Sequence, residues 1–265
     1  MRQKFIMSRN SITHLFFCLF IILSACATHK SSAENIVHKP GSIDKHSEFY
    51  TLPGLDHGLL QSPINILSFK KEATDKHEIT LHFQDEIEAI KNLGHTVQLD
   101  FSEGSTITFN GLSYAFKQVH FHTPSEHLID GMTFPMEMHI VTDIPAKDEN
   151  DLPRYLVVGF LFKMGHANPF IDKFINLIPQ TKHATTYLKP GTVKFIDVFP
   201  GAEQRNTEDF YHYRGSLTTP PHTETVEWFI HKHILEASPE QIETINVIEG
   251  NNARRIQETF DRLID

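Results

Sequence analysis

From about residue 47 to the C-terminus, apolar residues recur in short runs with a period of two, the spacing of a strand with one buried face. Alternating or β-rich segments at 78–83, 95–101, 106–110, 112–123, 136–142, 155–163, 192–199 and 225–231 each predict a strand. The run Tyr155-Leu156-Val157-Val158-Gly159-Phe160-Leu161-Phe162 is apolar on both faces, which predicts a central strand covered on either side. Periodicity alone allows a buried helix there, but the length and β-branched content favour strand. Glu103-Gly104-Ser105, between two runs, predicts a hairpin turn. Two helices interrupt the pattern. One spans Asn168 to about Ile178, with Asn168 as cap, Pro169 in the first turn, and Phe170, Phe174, Ile175 and Ile178 along one side. The other opens at Ser238-Pro239-Glu240-Gln241, a capping-box pattern. With no internal repeat or long linker, 47–265 reads as one mainly β (α+β) domain with short peripheral helices.

The first residues break this pattern. Arg2, Lys4 and Arg9 precede an apolar core of Phe16, Phe17, Leu19, Phe20, Ile21 and Ile22, as in a secretory signal. The core ends in Leu23-Ser24-Ala25-Cys26, which resembles the lipobox of bacterial lipoproteins, where the cysteine is acylated. This predicts a signal at 1–25, a lipid at Cys26 and a Ser-, His- and Lys-rich tether over 26–46. An ordinary signal peptide or an uncleaved anchor stays open, although the apolar stretch is short and interrupted by His14. The expected address is the periplasm or cell envelope. Any membrane attachment is through lipid at Cys26, since no second apolar stretch is long enough to cross a bilayer. Cys18 and Cys26 are the only cysteines, so the folded domain has no disulfide and relies on its core. Loss of the three basic residues of 1–25 leaves 21 Lys and Arg against 33 Asp and Glu, a net charge of −12, which argues against nucleic acid as a partner.

Histidine spacing supplies the candidate chemistry. In Gln118-Val119-His120-Phe121-His122 the two histidines project to one face of a strand, and a neighbouring strand through Glu137-Met138-His139 can bring His139 across to them. Three neutral imidazoles leave one tetrahedral position of a zinc ion open, the mark of a catalytic rather than structural site. With 18 histidines in 265 residues a His-x-His pair also arises by chance, so the neighbourhood decides.

That neighbourhood carries a resemblance. Gln61-Ser62-Pro63-Ile64-Asn65-Ile66, the His-x-His strand, Ser125-Glu126-His127, Glu137-Met138-His139 and Gly215-Ser216-Leu217-Thr218-Thr219-Pro220-Pro221 together resemble the α-class carbonic anhydrases. The match runs from about residue 47 onward in the family's order, and His122 to His127 read as in its bacterial branch. The resemblance implies a large, mostly antiparallel twisted central sheet. It also implies one zinc ion on His120, His122 and His139, and reversible hydration of CO2 by zinc-bound hydroxide. Gln118 and Glu137 are implied to orient His120 and His139 by hydrogen bonds. Thr218 is implied as the gatekeeper, donating to Glu126, with Thr219 near bicarbonate. Val141, Val157, Leu217, Val226 and Trp228 map to the CO2 pocket, although core packing alone explains each of them taken singly. His95 matches the proton-shuttle histidine. Gln98 could order the intervening waters, and Leu93 stands where many relatives have asparagine.

The match also departs from the family. The aromatic N-terminal segment is not visible before Gln61, with Glu48-Phe49-Tyr50 as a remnant, so no active-site tyrosine is assigned. The family's frequent cysteine pair is missing, and Asn251-Asn252-Ala253-Arg254 reads as structural. The expected partners are CO2 and bicarbonate, and a homodimer stays open. Two competing functions are a catalytically silent binding module, which usually lacks a zinc histidine, and a zinc-storing periplasmic lipoprotein, which would hold several labile ions.

Overall fold

A computed structural model describes residues 58–69, 79–82, 87–145, 151–194, 198, 210–260 and 262–265. The expected signal, tether and Cys26, and the segment Glu48-Phe49-Tyr50, lie outside these residues.

The strands, in chain order, are β1 (Asn65–Ile66), β2 (Ile79–His82), β3 (Ile87–Asn92), β4 (Val97–Phe101), β5 (Thr106–Phe109), β6 (Leu112–His122), β7 (Leu128–Ile129), β8 (Met136–Ile144), β9 (Arg154–Met164), β10 (Thr185–Tyr187), β11 (Phe210–Gly215), β12 (Val226–His231) and β13 (Leu235–Ala237). β1 and β7 form a small parallel pair. The main sheet runs in the order β10-β3-β4-β6-β8-β9-β12-β11, with β5 also beside β6, β2 beside β5, and β13 beside β9. Its described pairings are antiparallel except those of β9 with β12 and β13. β9 lies between β8 and β12 and is buried on both faces, as its unbroken apolar run requires. Leu156, Val158, Phe160 and Phe162 enter the larger core, while Val157 and Leu161 enter the smaller one with Ile64, Tyr213, Trp228 and Ile230.

The helices begin where their caps predict. Asn168 accepts from the amides of Phe170 and Ile171 at the start of α1 (Pro169–Phe174), which continues as a 3-10 turn to Leu177. Ser238 and Gln241 close a capping box on α2 (Pro239–Glu249).

Two expectations fail. Glu103-Gly104-Ser105 is not a hairpin turn, because β4 and β5 do not pair with each other. Both lie antiparallel to β6, at Gln98↔His120 and Thr106↔Ala115, so the 102–105 segment joins two successive stretches along one neighbour. The actual hairpin joins β5 to β6 at Asn110-Gly111, both with positive φ, the requirement of a type I′ turn. No strand occurs in the described part of 192–199, where Thr192 instead closes a turn on Lys189 after Gly191. Val193 and Val198 are fully buried, so their apolar character reflects core packing. Strand β3 escapes the pattern because a bulge between Ile87 and Ala89 breaks its alternation.

The C-terminal end of α2 is tied to the sheet by Glu249, whose Oε1 accepts from the Val97 amide (2.9 Å) and the Thr96 hydroxyl (3.1 Å). Burial pushes its carboxyl up to about 8 from 4.5. The folded protein therefore keeps this proton where the unfolded chain has released it, and the stabilisation, complete below about pH 4.5, is lost as pH rises through 8. Glu249→Gln is expected to flatten that decline, by at most about 1.4 kcal/mol per pH unit, in urea titrations between pH 5 and 8.

Candidate metal centre

The site occupies the face of the sheet that the larger core does not use. Val119 and Phe121 on β6, and Met136, Met138 and Ile140 on β8, enter that core. Period two then leaves Gln118, His120 and His122, and Glu137, His139 and Val141, on the opposite face. The antiparallel register sets His120 directly across from His139 and His122 across from Glu137. Ring centroids of the three histidines lie 4.9, 5.1 and 4.7 Å apart, and each ring offers one nitrogen within 4.8 Å of the others.

Hydrogen bonds select which nitrogens converge. His120 Nδ1 donates to Gln118 Oε1 at 2.9 Å, so its lone pair is on Nε2. His139 Nε2 donates to Glu137 Oε1 at 2.7 Å, so its lone pair is on Nδ1. Both nitrogens of His122 are buried with no hydrogen-bond partner, and Nε2 is the one that stands 3.5 Å from Glu126 Oε2, on the side of His139. Burial, reinforced by the neighbouring imidazoles, holds His120 well below the usual histidine range. Burial also lowers His122, against the opposing charge of Glu126. At His139 burial acts in the same sense, but Glu137 and Glu126 overcome it and the pKa rises. A divalent cation bound here competes with that proton.

Glu137 organises the second layer. Its Oε1 accepts from His139 and from His127 Nδ1, and its Oε2 accepts from the amides of Glu126 and His127 at 2.8 Å each. Burial would raise its pKa, yet His127 and His139 hold it well below the carboxylate range. His127 then accepts at Nε2 from the Tyr213 hydroxyl (2.6 Å), which stands 3.0 Å from Ser62 Oγ. Beneath this network, Gly159 pairs with His139, and a Cβ there would lie 2.7 Å from Ile230 Cδ1 and 3.1 Å from Glu137 Oε1.

The donor set fits zinc. Besides His122 Nε2, the buried Glu126 Oε2 is unpartnered, and the two stand 3.5 Å apart. Unpaired buried polar atoms are rare, and a cation held by the three imidazoles would engage His122 and balance the buried carboxylates. The alternative cluster of His127, Glu137 and His139 does not suit a metal, because protons already bridge Glu137 to both rings.

His120 and His139 open onto a cavity of about 300 Å³. His95, Thr96, Gln98 and Gln118 form its polar side, and Val141, Tyr155, Val157, Leu217 and Trp228 its apolar side, with Thr218 and Thr219 at the edge. The apolar side follows from register, because Val141 pairs with Val157 and Val157 with Trp228, one row over from the histidines. Val226 is the exception among the expected pocket residues, lining a separate cavity beside Tyr155. His95 is exposed, with Nδ1 3.1 Å from the Leu93 carbonyl, and the Gln98 amide donates to Asp100 at 2.6 Å. Thr218 and Glu126 are both buried at the site, but no hydrogen bond joins them.

Several contributors were not singled out from sequence. Within the segment read as structural, Arg254 donates its amide to Glu126 Oε1 (2.9 Å) and Asn252 donates to the His95 carbonyl (3.0 Å). His127 and Ser62 stand within motifs that carry the resemblance, whereas Tyr213 and Gly159 are tied to the site by contacts that no local pattern announces. Glu137→Gln is expected to weaken zinc binding about 10- to 100-fold, measured by competition with a chromophoric chelator.

The sequence model described as eukaryotic-type carbonic anhydrase matches residues 50–264. A carbonic anhydrase of Neisseria gonorrhoeae is 34% identical over 260 residues, covering 92% of this chain and 94% of the relative. One of Pectobacterium atrosepticum is 33% identical, covering 94% and 98%. Among solved structures, the α-carbonic anhydrase of Thermovibrio ammonificans in complex with sulfanilamide aligns with a TM-score of 0.68 at 31% identity, covering 78% of this chain and 87% of that one. With the histidine triad on the face of a large, mostly antiparallel sheet, these matches establish that the chain belongs to the eukaryotic-type carbonic anhydrase family.

Proposed function

We propose that the chain hydrates CO2 reversibly to bicarbonate and a proton, using one zinc ion held by His120 Nε2, His122 Nε2 and His139 Nδ1. The observation that carries this reading is the convergence of three imidazoles, two of which, His120 and His139, open onto a cavity with one apolar side. When bound, zinc supplies the Lewis acidity that activates water near neutral pH, a behaviour for which carbonic anhydrase is itself the reference case.

The remaining roles belong to side chains. Val141, Val157, Leu217 and Trp228 give a nonpolar gas a dry wall and bind it weakly, since the aliphatic side chains have no donor and the Trp228 Nε1–H is already donated to the Ser216 carbonyl. Glu126 Oε2, unpartnered in the structure, is the acceptor available to the nearby Thr218 hydroxyl; with that proton donated, the threonine oxygen would be only an acceptor and would select a donor on the reacting side. Arg254 holds the other carboxylate oxygen in place. Thr219, exposed at the cavity edge, sits beside departing bicarbonate. His95 carries the released proton outward: with Nδ1–H donated to Leu93, Nε2 is the nitrogen that accepts it. Gln118 and Glu137 fix the tautomers on which the ligand set depends.

Export completes the proposal. The basic start, the apolar core and Leu23-Ser24-Ala25-Cys26 support a signal at 1–25, lipid attachment at Cys26, a tether over 26–46, and a catalytic domain over 47–265 at the cell envelope.

Stopped-flow CO2 hydration on a chain beginning at Ala27, with zinc measured on the same sample, tests the enzyme. The expected result is about one zinc per chain with fast hydration, and His139→Ala losing both. Thr218→Ala is expected to keep the zinc and lower kcat/KM by about 10- to 100-fold. Zinc without activity would favour a silent binding module, and several ions per chain a storage protein.

A further inference from the structure

His95 sits in a turn between β3 and β4 that is held from both sides. On the β3 side, Asn92 Oδ1 accepts from the Gly94 amide at 2.9 Å, and the Leu93 amide donates to Thr96 O at 3.0 Å. The other side is held by the end of α2. Asn252 Nδ2 donates to the His95 carbonyl (3.0 Å) and to the Phe121 carbonyl (3.1 Å), while its Oδ1 accepts from the Thr123 amide (3.1 Å). Glu249 holds the next two residues through the Val97 amide and the Thr96 hydroxyl. The end of α2 therefore binds the shuttle segment to the end of β6 that carries His120 and His122.

A buried carboxyl is a costly choice for such a clasp, since it gives up hydration without a cationic partner among its described hydrogen bonds. The groups facing it are Thr96 just before β4, Val97 of β4, Thr123 after β6, and Asn252 beyond α2, none of them charged. The nearest titratable side chains in sequence are His95, beside Thr96, and His122, beside Thr123. Held neutral by burial, the acid has one proton to give. Oε1 accepts from the Val97 amide and lies 3.1 Å from Thr96 Oγ1, and Oε2 lies 3.5 Å from Thr123 Oγ1, so each carboxyl oxygen has a threonine hydroxyl beside it. Glu249 thus bridges the start of β4 and the residue that follows β6.

We infer that Glu249 is a positioning residue for proton transfer, acting through Thr96 and Val97 to fix the turn from which His95 serves the zinc cavity. This rests on the proposed shuttle role of His95. CO2 attack precedes export of the proton, so a misplaced shuttle lowers kcat in dilute buffer and spares kcat/KM. A side chain needed only for folding or zinc binding lowers both.

The test compares Glu249→Ala, Glu249→Gln, Thr96→Val and His95→Ala in the zinc-loaded chain, in dilute buffer with and without added imidazole. Glu249→Ala is expected to lower kcat about tenfold with kcat/KM within about twofold, and imidazole is expected to restore the rate. Glutamine keeps the acceptor and a donor and is expected to restore wild-type kcat. Thr96→Val, which keeps the shape of the turn, is expected to give the same split to a smaller extent, and it decides the matter where Glu249→Ala fails to fold. Hydrogen exchange in metal-free protein supplies a readout besides activity: the Val97 amide is expected to lose protection in Glu249→Ala and keep it in Glu249→Gln. Parallel loss of kcat and kcat/KM, or an unchanged kcat alongside a His95→Ala variant that is slow, would overturn the positioning role. An unchanged kcat in His95→Ala would instead overturn the shuttle reading, and with it the basis of the inference.

Discussion

The carboxylate of Glu137 is the group on which the site's order depends. Fully buried, it accepts four N–H donors: the rings of His127 and His139 and the amides of Glu126 and His127. A carboxylate out of water is tolerable only when its lone pairs are taken, and here every donor that takes one is itself fixed by the bond. The imidazole of His139 is locked with Nδ1 free, and the 125–127 loop is held so that Glu126 enters the site. His127 is turned toward Tyr213, so that β11 and the Ser62 segment join the same network. One buried charge therefore aligns a candidate metal ligand, holds the loop that carries Glu126 and links separate parts of the chain.

That arrangement needs space, and the fold supplies it by omission. Gly159 on β9 faces His139, and a methyl group there would press on Ile230 and Glu137. Gly215 plays a similar part lower in the network, since a Cβ would fall 2.1 Å from Ser62 Oγ and 2.9 Å from Trp228 Cδ1. Neither glycine is needed for an unusual φ. Each is required because another side chain passes close to its backbone.

How much of this was legible follows from the range of the interactions. Period two along β6 and β8 is local, so the convergence of His120, His122 and His139 could be read directly, and so could the doubly buried β9 and both helix starts. The apolar side of the cavity needed the family resemblance, since Val141, Val157 and Trp228 look like ordinary core residues until register places them one row from the histidines. Val226 shows the limit of that transfer, because it lines the neighbouring cavity. The short spacing at 103–105 suggests a hairpin between β4 and β5, yet both strands lie along β6 and not along each other. Asn110-Gly111 carried the stronger local turn signal. Glu249 and Asn252 were beyond local reading altogether, since their partners lie more than 120 residues away.

Register explains why the site is specified so tightly. Along β6, Gln118, His120 and His122 alternate with Val119 and Phe121, and along β8, Glu137 and His139 alternate with Met136, Met138 and Ile140. A one-residue shift would turn Phe121 and Met138 toward the cavity and press the histidines and a carboxylate into the larger core. Each of those polar groups would lose its partners and remain dehydrated, at about 1–3 kcal/mol or more apiece. The pattern that builds the metal site therefore also opposes the nearest misfolded alternative. Chemistry and strand pairing are fixed by the same residues, and this lets the domain hold a buried ionic network without a disulfide to support it.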